Sequence, residues 1–384
     1  MSRVKLADVI IRANTKVDKD HTDLKYYVGG EHFESGNVTV EQRGLIEGST
    51  IGPMFYYGFK AGQFLLVSRN PHLKKAGVVD FDGICSEKTF VLQTANPEVL
   101  IPEYLPFVLQ NDRFWDYAVE HKHGSTNFFI NWSTLADYEF ELPSVEEQNR
   151  VATLAWAAHR LKKEYHKLIE ATDDLVKSQF IEMFGGQEEN PYGYPSVTLG
   201  EVCSFFSGTG FPNEYQGNQS GKYPFFKVGD ISRNVQNGNK QLQDCDNYID
   251  DDVVPQIHGT IIPEGTVVFA KIGEALRLNR RAITSQNCLI DNNAMGIKPD
   301  SKLTLGYFFQ YMQLLDMGKY AGATAMPSVR KSTLENVQIL IPPTDKQMQF
   351  EQLMQQSDKS KFELQQAIEK VDNLIKSLIQ QDNN

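Results

Sequence analysis

A chain of 384 residues is long enough for two domains with their own cores, and 41% hydrophobic with 11% aromatic residues excludes global disorder. A formal charge of −11 excludes a uniformly basic nucleic-acid binder, although charge acts locally. No stretch reads as a membrane span, the opening MSRVKLADVIIRANTK lacks the apolar core of a secretory signal, and Cys85, Cys203, Cys245 and Cys288 are too far apart for a metal knuckle. The expectation is a cytoplasmic protein with reduced thiols and no membrane contact.

In chain order, VKLADV at 4–9 opens the first half, followed by Tyr27-Val28-Gly29-Gly30-Glu31. Short β-branched and aromatic runs then alternate with Gly, Pro and Asn turns, as in Gly62 before Phe64-Leu65-Leu66-Val67. Residues 60–75 hold Lys60, Arg69, Lys74 and Lys75 without an acid. A helix is expected over Glu103–Asp116, then Ser133-Thr134-Leu135, a strand at EFELP and a long helix over 142–184. The linker GGQEENPYGYPS at 185–196 marks the domain boundary, the alternative being a surface loop within one domain.

The second half repeats this order. VTLGEV at 197–202 matches VKLADV, Lys227-Val228-Gly229-Asp230-Ile231 follows, and Gly265 precedes Val267-Val268-Phe269. A second basic segment carries Lys271, Arg277, Arg280 and Arg281 against Glu274 alone. A helix at Thr304–Leu315 precedes Lys319, Arg330 and Lys331, then Ser332-Thr333-Leu334, the strand QILIP and a second long helix over 342–384. At a constant offset of 199, Pro143 matches Pro342, Gln148 matches Gln347, Asp173 matches Asp372 and Lys177 matches Lys376. This is an internal repeat, so the expected parts are recognition domains at 1–141 and 197–341, each followed by its helix.

Both long helices carry alternating 3,4 apolar spacing. In the first it runs through Val151, Leu154, Leu161, Leu168 and Leu175; in the second, through Phe350, Leu353, Leu364, Val371 and Leu374. Helices of this length span roughly 60 Å, more than a domain core needs. The expected architecture is a mixed α/β (α+β) chain, with two similar domains joined by an antiparallel coiled coil under a pseudo-twofold. Ordinary helices packed on their own domains are the alternative.

Catalytic signals are missing. Gly208-Thr209-Gly210 is followed by Pro212 rather than a helix start, no phosphate loop or HExxH helix is present, and no Asn-Pro-Pro-aromatic tetrapeptide occurs. The run Asp244, Asp246, Asp250, Asp251 and Asp252 opposes the basic segments, and its adjacent aspartates at 250–252 read as a solvated acidic loop rather than a Mg²⁺ site. His121 and His123 around Lys122 suit a surface loop or phosphate contact better than a metal. Arg69, Lys74, Lys75, Lys271, Arg277, Arg280 and Arg281 are the leading candidates to face DNA, with Lys319, Arg330 and Lys331 a second group. Ordinary solubilising surface is the competing reading for each.

The paired ELP-x-x-E-E-Q and IPP-x-D-K-Q helix entries, the segment LGEVCSFFSGTGFPNEYQGNQSGKYPFFKVGDI, then GTVVFAKIG and the closing AGATAMPSVRKSTLENVQILIPP carry a resemblance. Over essentially its whole length the chain resembles the specificity subunit of type I restriction-modification systems. The first half departs, with no Ser-Gly-rich turn after Val9 and HGSTNFFINWSTL in place of the commoner closing form. The resemblance implies a non-catalytic reader of a split, asymmetric double-stranded DNA site. It also implies two adenine methyltransferase subunits around the helices and added translocase-nuclease subunits. S-adenosylmethionine, ATP and Mg²⁺ would belong to those partners, with no cofactor on this chain. A self-contained modification enzyme, a modification-only or defence relative, and a coiled-coil scaffold without DNA readout are the other readings.

Overall fold

The computed structural model describes residues 2–186, 189–243, 245–322 and 327–381, and the side chains of 380 and 381 are outside that description. Asp244 of the acidic run, residues 187–188 of the linker and residues 323–326 of the closing motif therefore lie outside the described residues. Contacts divide the chain into two units, Met1–His166 with Gln365–Asn384, and Lys167–Leu364.

The first unit carries β1 (Ser2–Lys5), α1 (Leu6–Val9), β2 (Ile10–Ala13), β3 (Tyr26–Val28), β4 (Gly44–Leu45), β5 (Phe55–Phe59), β6 (Phe64–Val67), β7 (Ala76–Val78), β8 (Gly83–Ser86) and β9 (Thr89–Thr94). Then come α2 (Leu105–Leu109), α3 (Asp112–Glu120), α4 (Trp132–Ala136), β10 (Glu139–Leu142) and the long helix α5 (Val145–Phe184). After the linker follow β11 (Ser196–Thr198), α6 (Leu199–Val202), β12 (Cys203–Ser207), β13 (Tyr223–Phe226), α7 (Val228–Gln236), β14 (Gln241–Leu242), β15 (Tyr248–Ile249), α8 (Val253–Gln256) and β16 (Val267–Ala270). The remainder is α9 (Gly273–Arg277), β17 (Arg281–Thr284), β18 (Leu289–Ile290), β19 (Ala294–Pro299), α10 (Leu305–Leu314), α11 (Lys331–Glu335), β20 (Gln338–Leu340) and the long helix α12 (Thr344–Gln381).

The two topologies match. One sheet runs β2-β9-β6-β7 in the first unit and β12-β19-β16-β17-β14 in the second. β3 pairs in parallel with β8, as β13 does with β18, and β1–β10 and β11–β20 are small antiparallel pairs. The interior strands β6 (FLLV) and β16 (VVFA) are buried at every position, as strands covered on both faces must be. The edge strand β10 (EFEL) alternates exposed and buried. Each unit opens with a one-turn helix held by its own first turn: Lys5 N–H donates to Asp8 at 3.1 Å, and Thr198 N–H to Glu201 at 2.7 Å. The expected helix over 103–116 is two, because the Asn111 side chain accepts from Arg113 N–H and starts α3 afresh.

Each domain is stapled to its long helix by a fully buried glutamine. Gln148 accepts from Ile101 N–H at 3.0 Å and donates to the carbonyls of Val99 and Pro143. Gln347 accepts from Thr304 N–H at 2.7 Å and donates to those of Lys302 and Pro342. A buried amide must satisfy all its polar atoms, and the repeat keeps the donors and acceptors in place to do so.

The two long helices run antiparallel. In the first unit Lys162 of α5 meets Asp372 of α12 at 2.7 Å. In the second Lys361 of α12 meets Asp173 of α5 at 2.6 Å. The two lysines, and the two aspartates, are each 199 positions apart, so one ion pair is the repeat image of the other.

The expected apolar seam needs correction. Val151, Phe350 and Val371 are buried and Leu353 and Leu364 half-buried, but Leu154, Leu161, Leu168, Leu175 and Leu374 are between 44% and 52% exposed. On α5 the inward stripe is the expected one advanced by a single residue, through Ala152, Ala155, His159, Lys162 and Val176, with the ion-paired Asp173 at its exposed margin. One residue turns a helix by about 100°. Small side chains and interhelical ion pairs fill this seam on α5, whose four leucines face outward, while α12 keeps Phe350, Leu353, Leu364 and Val371 of the expected stripe at least half-buried and loses only Leu374. Among the described residues no helix is long and apolar enough to cross a membrane.

Candidate nucleic-acid interface

The first basic segment does not stand alone. After β6 the chain enters a turn in which Asn70 and Lys74 take left-handed backbone angles, φ 51° and 47°. That turn is bridged, strand-like, to residues 121–130: Asn70 N–H donates to Phe128 O at 2.8 Å, Ile130 N–H to Ser68 O at 2.9 Å, and Arg69 bridges Phe129. The Arg69 guanidinium lies 5.4 Å from the Phe129 ring centre, and the Lys122 ammonium 4.6 Å from that of Phe128. His123 pairs back to Phe129 through both backbone bonds, and His121 stacks on Tyr117. Lys74 is paired with Asp112 at 2.7 Å, and Lys75 donates to Gly30 O at 2.6 Å. The segment HKHGSTNFF thus supplies half of a basic, aromatic-backed loop pair. Lys122, His121 and His123 join the site only through this long-range bridge.

The second unit repeats the arrangement. Lys271 O accepts from Val329 N–H at 2.9 Å, Gly273 N–H donates to Pro327 O at 2.8 Å, and Ile272 bridges Ser328. This brings the two candidate groups of that half together: Lys271, Arg277 and Arg280 on one strand of the loop pair, Arg330 and Lys331 on the other. Lys319 sits in the short turn Met317–Tyr320, which packs against α9. Arg277 is exposed and reaches Glu274 only at 3.4 Å, and Lys331 meets Glu335 at 3.6 Å, so both keep a solvent-facing charge.

Arg281 has to be withdrawn from the DNA-facing set. It is 1% exposed, and its guanidinium donates to Asn279 O at 2.9 Å, Asn279 Oδ1 at 2.6 Å and Leu315 O at 2.5 Å. Burial pushes its pKa down to about 9, against a smaller opposing pull from Asp316. Its place at the start of an interior strand explains the error, because residue type alone does not say which face a strand residue takes. Tied to the left-handed Asn279 and to the end of α10, it holds the basic loop from beneath.

The described carboxylates and thiols serve structure. Asp251 accepts from Lys222 and from the Tyr223 hydroxyl, and Asp250 from Lys222 N–H, so these carboxylates close a turn. Among the described residues no group of three or more His, Cys, Asp or Glu could hold a metal. The four thiols are unpaired, and burial pushes Cys85, Cys203 and Cys288 up to about 12 and Cys245 to about 11.

With the twofold loop arrangement established, comparison with known proteins is informative. Residues 191–371, which include the second loop pair and its helix, match the type I restriction modification DNA specificity domain. The likeness to this specificity domain covers just under half of the chain. A specificity domain of this kind is a non-catalytic module. The chain is 26% identical over 275 residues to the type I restriction enzyme MjaIX specificity subunit of Methanocaldococcus jannaschii, with 67% of this chain aligned. That alignment spans 62% of the relative's length. In fold, 99% of the chain superposes on 97% of a solved chain of a type I R-M system, with a TM-score of 0.61 and 19% identity. It superposes over its full length on 96% of the type I S subunit from M. genitalium, with a TM-score of 0.55 and 13% identity. These two likenesses extend the fold across the first half, which the specificity-domain match does not reach.

Proposed function

We propose that this chain is the sequence-reading subunit of a type I restriction-modification complex, each unit reading one half of a split, asymmetric DNA site. The observation that carries the reading is the recurrence of one device: a basic loop bridged to a distant second segment, once at Arg69 and Lys122 and once at Lys271 and Arg330. Exposed arginines on such loops can neutralise phosphates or form paired hydrogen bonds to guanine, while the aromatic rings behind Arg69 and Lys122 limit their freedom. The acidic balance lies elsewhere on the chain and leaves the loops basic.

Partners follow from the outward leucines. Leu154, Leu161, Leu168 and Leu175 recur every seven residues on α5, the spacing that a partner helix would cover. Two methyltransferase subunits would occupy such surfaces, with translocase-nuclease subunits added for restriction. S-adenosylmethionine, ATP and Mg²⁺ would act on those partners. A modification-only or defence complex would use the same reader without the nuclease. A scaffold without DNA readout is disfavoured by the doubled basic loops, and under it reversing Arg277 and Arg280 would leave methylation unchanged.

The test is methylome sequencing of a host co-expressing this chain with the methyltransferase encoded beside it, against the methyltransferase alone. A split adenine-methylated motif that needs this chain, and that degenerates in one half only when Arg277 and Arg280 become Glu, is the expected result. No new motif from a soluble, co-purifying pair would overturn the reading.

A further inference from the structure

Each unit has one place where the edge of its sheet lands on a long helix, and the two places carry opposite charge. In the first unit the edge segment runs in parallel beside β7, with Thr39 bridging Val78, and ends on Glu41. The Glu41 carboxylate meets Lys163 of α5 at 2.7 Å and accepts from the Thr39 hydroxyl at 3.1 Å. That hydroxyl lies 3.3 Å from Nε2 of His159, a buried helix residue. In the second unit the corresponding edge is β14, parallel to β17, and Lys240 immediately before it reaches Asp358 of α12 at 2.5 Å. His159 and Asp358 occupy one position of the 199-residue repeat, and so do Glu41 and Lys240.

The signs are therefore exchanged. In the first unit an edge carboxylate sits on a basic helix turn; in the second an edge ammonium sits on a single helix aspartate, Asp358. The surroundings keep each arrangement consistent. Lys162 beside the first junction is engaged with Asp372, and Lys361 beside the second lies 3.6 Å from Asp358 while paired to Asp173. Burial pushes the Lys240 ammonium towards its neutral form, and Asp358 opposes that.

We propose that this exchange of sign is a sorting code, which seats each sheet edge on its own helix and rejects the other. Strand order, glutamine staple and interhelical ion pair are common to both halves and so cannot sort them. An edge lysine placed in the first unit would face Lys163, beside a His159 that burial keeps towards its neutral form, and an edge glutamate in the second would face Asp358. Like charges at hydrogen-bonding distance on partly desolvated surfaces disfavour the wrong seating even where the correct pair adds little. The inference is independent of what the domains bind.

The experiment is thermal unfolding of the full chain. Glu41→Lys and Lys240→Glu are each expected to lower Tm by about 2–4 °C. Recovery is expected in Glu41→Lys with His159→Asp and Lys163→Asp, and in Lys240→Glu with Asp358→Lys, but not when the partners are crossed between units. A chimera carrying a copy of 197–341 in place of 2–141 then tests sorting directly: it should unfold lower on native α5 than on α5 with His159→Asp. Equal Tm for matched and mismatched chains, in the point variants and the chimera, would overturn the proposal.

Discussion

The two places where the long helices meet a domain solve one packing problem with different residues. In the second unit Phe350 and Phe180 close the contact with rings 5.3 Å apart, joined by Phe184 and Tyr307. The positions 199 away, Val151 and Ile379, do so in the first unit, within a core that also holds Ala152, Ala155 and Leu378. The aromatic solution leaves a cavity of about 240 Å³ lined by Phe180, Phe184, Tyr307 and Tyr311, with Tyr311 donating to Gln338 O at 2.8 Å. The space beside Ile379 is about 10 Å³ and is lined by Tyr104, Phe107, Tyr138 and Phe140 as well. The larger space also reaches Gly185, Gly186, Glu189 and Asn190 after α5, where among the described residues no bulky side chain closes it. A repeat thus preserves backbone and polar staples more strictly than the apolar residues between them.

That contrast can be broken or sharpened by substitution. Phe350→Ala should cost about 3–5 kcal/mol, against about 2 kcal/mol for Val151→Ala, compared by chemical denaturation. Similar losses at both sites would mean that the aromatic cluster relaxes around its cavity. The staples should behave alike where the cores do not: Gln148→Leu and Gln347→Leu each orphan one backbone N–H and two carbonyls, and each should cost about 2–3 kcal/mol. A large inequality would show that one domain reaches its helix by another route. The smallest effect is expected at Leu161→Asp and Leu168→Asp, within about 0.5 kcal/mol of wild type because both side chains already face solvent. Marked destabilisation there would restore the seam expected from the sequence.

Much of this was readable in advance, in a particular way. The glutamines, the paired prolines and the matching openings VKLADV and VTLGEV stood out because polar geometry tolerates few alternatives and so survives duplication. The helix register did not, because bulk served as the guide to burial while alanines and opposite charges fill the seam. The basic segments were visible, but not their pairing with residues 121–130 and 327–330, which depends on backbone bridges between segments tens of residues apart. Arg281 was misplaced for a related reason: composition marks a charge, and only the strand's facing says whether it reaches solvent.

The first unit is also discontinuous along the chain. Leu378 and Ile379 sit in the core that Leu6, Phe64 and Trp115 build, and Asn111 donates to the Ile379 carbonyl across 268 residues. The second unit is drawn from the uninterrupted stretch Lys167–Leu364. During synthesis the earlier-made unit must therefore wait, its helix face uncovered, until residues 365–381 leave the ribosome, while the later-made one can close first. Trimming the chain behind Val371 would consequently damage the part of the molecule that was translated first.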